Sequence, residues 1–381
     1  MFTLIEGGEV YAPEYGGRRD VLLVSGKIAR VGQVDRSALE KTHLPMEFVD
    51  ATGCFVTPGL IDPHEHLLGG SGEEGFETQT PEIALREVVG AGITTVVGCL
   101  GTDTTTKTML GLLAKAKAFS AEGITAFIYS GGYNVPPVTL TGSVRKDMLL
   151  VSEVIGAGEI AISDARSTEP SNAELARLVR DAYVGGLLTG KSGVTHFHVG
   201  AGRGRLAPLR AVLEEYEIEP ASLYPTHVER NEALMQEAVD LSRKGVAVDV
   251  DTVEEDLPRW VTFYLERGGD PSRLTASSDA ALNSPATLFQ QIRECVLEHR
   301  VPLAVALPFV TSNTARVLKL PRKGTLQVGS DADVLVLRKD GLEIQDVFAG
   351  GRRMVSSGQL SFTEKFLEKS NRRIVLHGEK S

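Results

Sequence analysis

The chain has 381 residues, 42% hydrophobic and 24% charged, which is a globular composition with enough apolar residues for a full core. Its net charge of −10 argues against nucleic acid or an anionic membrane as the main partner. Three scattered cysteines, Cys54, Cys99 and Cys295, offer no disulfide framework and no thiolate metal site, and fit a reducing compartment.

The start, "MFTLIEGGEVYAPEYGG", has no basic stretch followed by a long apolar one. No run approaches the roughly 18 apolar residues of a membrane span. The expectation is a cytoplasmic protein.

Residues 1–57 are short β-runs punctuated by glycine, with "DVLLVSGKIARVG" (20–32) reading as a hairpin around Ser25-Gly26. From 58 the texture changes to alternating strand and helix. Apolar runs fall at "GLIDPHEH" (59–66), "TTVVGCLG" (94–101), "TAFIYSGGY" (125–133) and "EVIGAGEIAI" (153–162). Four more follow at "VTHFHVG" (194–200), "LYPTHV" (223–228), "VAVDVDT" (246–252) and "LTASSD" (274–279). Helix signals lie between most of them. Thr80 with Pro81 reads as a cap and first position, and Ser171 with Glu174 as a capping box. In "NEALMQEAVDLSRKG", Leu234, Ala238 and Leu241 form one apolar stripe, and Gly245 supplies the stop. Residues 134–152 carry no clear signal.

Eight strand–helix units over 58–321 predict a (β/α)8 barrel. A doubly wound open sheet is the alternative, but no G-x-G-x-x-G loop follows the first strand. The tail from 322 returns to the β-texture, with turns at Asp340-Gly341 and Gly350-Gly351. Neither end is long enough for its own core. The expectation is one small β-sandwich built from 1–57 and 322–381, with the barrel inserted between.

Barrel active sites form at the C-terminal ends of the strands. Strand one ends in His64 and His66, whose spacing points both imidazoles one way and Glu65 the other. The zincin pattern H-E-x-x-H fails because its last position is Leu68. Strand five ends in His198, strand six in His227 and strand eight in Asp279. Imidazoles and a carboxylate gathered at one rim suit zinc, manganese or iron. His196 shares the parity of His198 one layer deeper and reads as a core histidine or a support for the ligands. His43, His299 and His377 lie off the rim and read as surface residues.

With "PGLIDPHEH", the later single histidines, "SSD" and "GTLQVGSDADVLVL", the chain resembles the amidohydrolase superfamily. Within it, "HLLGGSGEEG", "VVGCLGTD", "GGYNVP", "AISDARS", "VTHFHVG" and "YPTHVERN" are similar to isoaspartyl dipeptidases, which cleave β-aspartyl dipeptides. The resemblance is strong to about residue 245 and weakens around strands seven and eight.

It implies two divalent metal ions, with zinc favoured. His64, His66 and Asp279 would hold one and His198 and His227 the other, with a hydroxide bridging them as nucleophile. Asp279 would also be the catalytic base and then acid, and Tyr133 the donor to the developing oxyanion. Glu73, Thr102, Arg166, Arg230 and a serine aligning on Ser284 (or on Asn283) would bind the substrate, a small dipeptide. A homo-oligomer is implied as well.

The pattern breaks at strand four. The family bridges its metals with a carboxylated lysine there, and no lysine lies between Lys146 and Lys191 in this chain. Glu159 precedes "IAISDAR", and one residue, Ala157 or Gly158, is extra. A glutamate offers the same two oxygens on a shorter arm, so Glu159 is expected to bridge if the strand end shifts inward. A hydrolase of cyclic amides or N-acyl amino acids, and a non-catalytic barrel, are the competing readings.

Overall fold

The computed structural model describes residues 2–371; His377, read as a surface residue, lies outside them. All eight anticipated strands are present. They are Leu60–Glu65, Ile93–Gly98, Thr125–Ser130, Val154–Ile162, Val194–Val199, Leu223–Thr226, Val248–Asp251 and Leu274–Ser277. Each is followed by a helix. The unassigned stretch after the third strand contains the helix Val144–Leu150, capped by the Ser143 side chain on the Lys146 amide.

Strands one to six form one parallel sheet in chain order, and strands seven and eight pair with each other. The ring closes where Asp279 N donates to His64 O at 3.1 Å and His66 N donates to Ala280 O at 3.0 Å. Between strands six and seven, side chains take the place of a ladder. The fully buried Asp249 accepts from Thr226 (2.8 Å) and Tyr224 (3.2 Å) on strand six and from Ser277 (2.5 Å) on strand eight. This is a TIM-like barrel.

Strand periodicity sorts the core into two sides. Leu60, Val96, Ile128 and Val154 face outward to the helices. Their neighbours Ile61, Val97, Tyr129 and Ile155 fill the interior, with Ala315 and Leu318 from the chain after the barrel. That packed interior is a fixed floor under the rim.

The two termini meet in one nine-stranded sheet. Its strand Val334–Arg338 lies between Cys54–Pro58, just before the barrel, and Ile344–Ala349 from the tail. The expected hairpin is present, with Ser25 and Gly26 both at positive φ, as such a two-residue turn requires. By hydrogen bonding, the anticipated sandwich is a single sheet, curled so that Ile28 meets Ser330 and Gly329. It encloses its own apolar core around Ile5, Val21, Val56, Val336 and Phe348.

One local expectation fails. Thr80 caps no helix; the helix is Leu85–Gly90, and Glu87 reaches back to the Ala84 amide. Thr80 Oγ1 instead accepts from Gly70 N at 2.6 Å and donates to Ala281 O at 2.8 Å. A partner more than 200 residues away outcompetes the local cap, and it ties the loop after strand one to the loop after strand eight.

Candidate metal centre and substrate cavity

His64, His66, Glu159, His198, His227 and Asp279 converge at the rim, each delivered by a strand end. Glu159 is fully buried and faces both histidine pairs. Its Oε2 lies 3.4 Å from His64 Nε2 and 3.7 Å from His66 Nε2. Its Oε1 lies 2.7 Å from His198 Nδ1 and 3.3 Å from His227 Nε2. Asp279 Oδ1 completes the first side, 3.2 Å from His64 Nε2 and 3.1 Å from His66 Nε2.

The extra residue on strand four explains how a short side chain reaches so far. In the pairing of strands four and five, Ala157 faces Thr195 and Ile160 faces Phe197. Gly158 and Glu159 therefore oppose His196 alone, which is a β-bulge, a device that re-aims a side chain. Gly158 sits at φ +149°, and a Cβ there would stand 2.9 Å from His196 Cβ and 3.0 Å from its carbonyl oxygen. Only glycine fits.

The site has the marks of a cation centre. His64 Nε2, Glu159 Oε2 and Asp279 Oδ1 are buried with no hydrogen-bond partner, which is costly unless something else satisfies them. Burial opposes the charge on Glu159, yet the neighbouring His64 and His198 hold its pKa well below the usual carboxylate range. Burial also opposes charge on His227, but hydrogen bonds to Asp251 and Glu159 raise its pKa to about 9. His227 and Asp279 have φ of +61° and +48°, a strained conformation of the kind that concentrates at working sites.

A further layer of residues aims the imidazoles. His196 Nδ1 lies 2.9 Å from Tyr224 O, a contact only an N–H can satisfy. Its Nε2 is thereby an acceptor for His64 Nδ1–H at 2.9 Å, which turns the His64 Nε2 lone pair into the centre. His227 Nδ1 donates to Asp251 at 2.5 Å, with the same effect on its Nε2. His198 Nε2 meets Asp164 at 3.1 Å, and Cys99 Sγ lies 3.8 Å from His66 Nδ1.

A cavity of about 530 Å³ opens above the centre, and His66, His198, Asp279 and Tyr133 reach its base. Glu73, Thr102, Arg166 and Arg230 line it too. Arg166 Nη1 bonds both Glu73 oxygens at 2.8 and 2.9 Å, while its Nε and Nη2 bond Asp164. The Tyr133 hydroxyl is 2.9 Å from His198 Nδ1, and burial pushes its pKa well above the usual range.

Ser284 does not line this cavity. It is exposed at the start of the helix Ala286–Leu297, where its hydroxyl accepts from the Ala286 amide. Ala281 and Leu282 stand at the cavity wall in its place. Sequence reasoning missed Asp164, Asp251 and Cys99. Asp251 ends strand seven, so the rule that selected the histidines also selects it. Asp164 lies two residues before Arg166.

The amidohydrolase family profile matches residues 264–354. A β-aspartyl dipeptidase of known structure from Fervidobacterium islandicum AW-1 is 39% identical, with a TM-score of 0.90, over 96% of this chain and all of that one. The chain belongs to the amidohydrolase superfamily.

A second structure of the Fervidobacterium β-aspartyl dipeptidase, in complex with β-Asp-Leu, matches this amidohydrolase at 37% identity and the same TM-score of 0.90. Among curated sequences, a dihydroorotase from Pelotomaculum thermopropionicum is 31% identical over 43% of this chain, but the match spans only 35% of that protein. A dihydroorotase from Syntrophotalea carbinolica is 26% identical over 88% of this chain and 89% of its own length. An enamidase structure, 16% identical with a TM-score of 0.68, shares the fold. Among the described residues of this amidohydrolase, no helix is long and apolar enough to cross a membrane.

Proposed function

We propose that this amidohydrolase hydrolyses the side-chain amide of β-aspartyl dipeptides at a centre of two divalent cations, zinc favoured. His64, His66 and Asp279 would hold one cation and His198 and His227 the other. The observation that carries this reading is Glu159, which turns one oxygen to each histidine pair, as a bridging carboxylate must. It stands in for the carboxylated lysine that the chain lacks.

Such cations, when bound, would lower the pKa of a water and polarise the scissile carbonyl. Asp279 takes the proton of the attacking water and passes it to the leaving amine, acting as general base and then general acid. Tyr133, with its high pKa, keeps its proton and donates it as a hydrogen bond to the oxyanion. Arg166 offers a planar fork for a substrate carboxylate, and Glu73 an acceptor for the α-ammonium. In the structure these two bond each other at partly exposed positions, an ion pair of about 0–1 kcal/mol that a zwitterionic substrate displaces at little cost. Thr102 and Arg230 complete the walls.

The test is turnover of a β-aspartyl dipeptide panel by metal-loaded protein, with α-aspartyl dipeptides as control. Hydrolysis of the β-linked set alone is expected. The dihydroorotase relatives favour a cyclic amide as the second reading, so dihydroorotate belongs in the panel. Its turnover in place of the dipeptides would overturn the proposal.

A further inference from the structure

A second cavity, of about 440 Å³, lies on the other side of Asp279. Asp279 and Arg230 line both chambers. An amide held at Asp279 therefore has room for one half in each. With the aspartyl half beside Glu73 and Arg166, the leaving residue extends past Arg230 into the second chamber.

That chamber is built for positive charge. Glu229, Asp251, Glu254 and Asp256 line it, against Arg259 beyond the shared Arg230. Arg259 is already engaged, 3.2 Å from Glu232 and stacked 4.5 Å over the Trp260 ring. Glu229 is only 8% exposed, and burial and the adjacent Asp251 carboxylate push its pKa well above the usual range, so it keeps its proton and shares it with Asp251. The Asp251 oxygens are also held by His227 Nδ1 and Val253 N. Asp256 Oδ2 takes the Trp260 indole N–H at 2.7 Å, while its buried Oδ1 has no partner. That buried oxygen lacks a donor, and a buried acceptor is costly until one is supplied. Trp260 adds an apolar wall for a methylene stem and an aromatic ring near a cation.

We propose that this chamber is the leaving-residue subsite and that it selects a cationic side chain, making β-aspartyl-lysine and its basic analogues the preferred substrates. The inference rests on the dipeptidase reading. Arg230 receives the leaving residue's carboxylate. The ammonium reaches Glu254 and Asp256 in the loop after strand seven.

The experiment compares kcat/KM for β-Asp-Lys, its neutral near-isostere β-Asp-norleucine, and β-Asp-Glu, using the metal-loaded full chain. β-Asp-Lys is expected to lead norleucine by at least about tenfold, within the range one pocket contact supplies. That lead should shrink in Glu254→Gln and in Asp256→Asn, and should fall with added salt. Equal rates for the lysine and norleucine dipeptides, or a lead for β-Asp-Glu, overturn the subsite and leave the dipeptidase reading intact. Calorimetric binding of free L-lysine against L-norleucine reads the chamber without turnover. Tighter lysine binding in a protein that cleaves no dipeptide removes only the dipeptidase reading. Equal binding overturns the subsite.

Discussion

Glu159 has the chemistry of a bridge because its two oxygens are equivalent and each meets a different histidine pair. Replacing it with alanine takes a carboxylate away from both histidine pairs. Elemental analysis of Glu159→Ala should find fewer than two metals per chain, and two tightly held metals would sink the bridge. Acidity offers a second check. His227 is raised from its ordinary 6.5 to about 9 in the folded chain. In chelator-treated protein its protonated form contributes stability that is fully present below about pH 6.5 and lost as pH rises through about 9. Metal binding runs the other way, because the proton competes for the same lone pair. Calorimetry across this window should show the metal-free melting temperature falling while metal affinity rises. Parallel trends in the two would contradict the assignment.

The bulge at Gly158 decides at the level of the element what Glu159 can do. A regular strand alternates its side chains, so one inserted residue changes which side chain faces the centre. Gly158→Ala places a methyl against His196 at a backbone angle that disfavours it. Chemical denaturation should register a loss of about 1–3 kcal/mol, and metal retention should fall with it. An unchanged midpoint with unchanged metal content would show that the bulge tolerates a side chain. The bulge was half legible: the sequence showed an extra residue and a glutamate, but no pattern says which way an irregular strand turns. The helix start at Thr80 was misread for a related reason. Its hydroxyl has a local cap signature, and the fold spends it on Ala281 instead.

The barrel is stitched to the terminal sheet through Cys54–Pro58, which continues almost directly into the first barrel strand. Cys54–Pro58 pairs with Val334–Arg338, so the tail covers the edge of the strand that leads into the barrel. Deleting 322–381 leaves this edge open and the core around Val56 uncovered. The truncated chain should express mainly as insoluble protein. A soluble, metal-binding truncation would show that the barrel folds without its sheet.

Sequence alone determined the barrel, because the 2.0 and 3.6 periodicities of strand and helix are local properties that survive without a partner. Strand ends, where an apolar run stops, marked five of the centre's six ligand candidates, and the family resemblance pointed to the sixth, Glu159. Only the tertiary structure decided the rest. Asp164 meets His198 from another strand, the pairings of Asp251 with His227 and of His196 with His64 form only across the ring, and the division of Glu159 between two histidine pairs depends on the bulge. The same holds for the second chamber. Its acidic groups come from the loop after strand six, the end of strand seven and the loop beyond it, and they gather beside Asp279 only once the ring has closed.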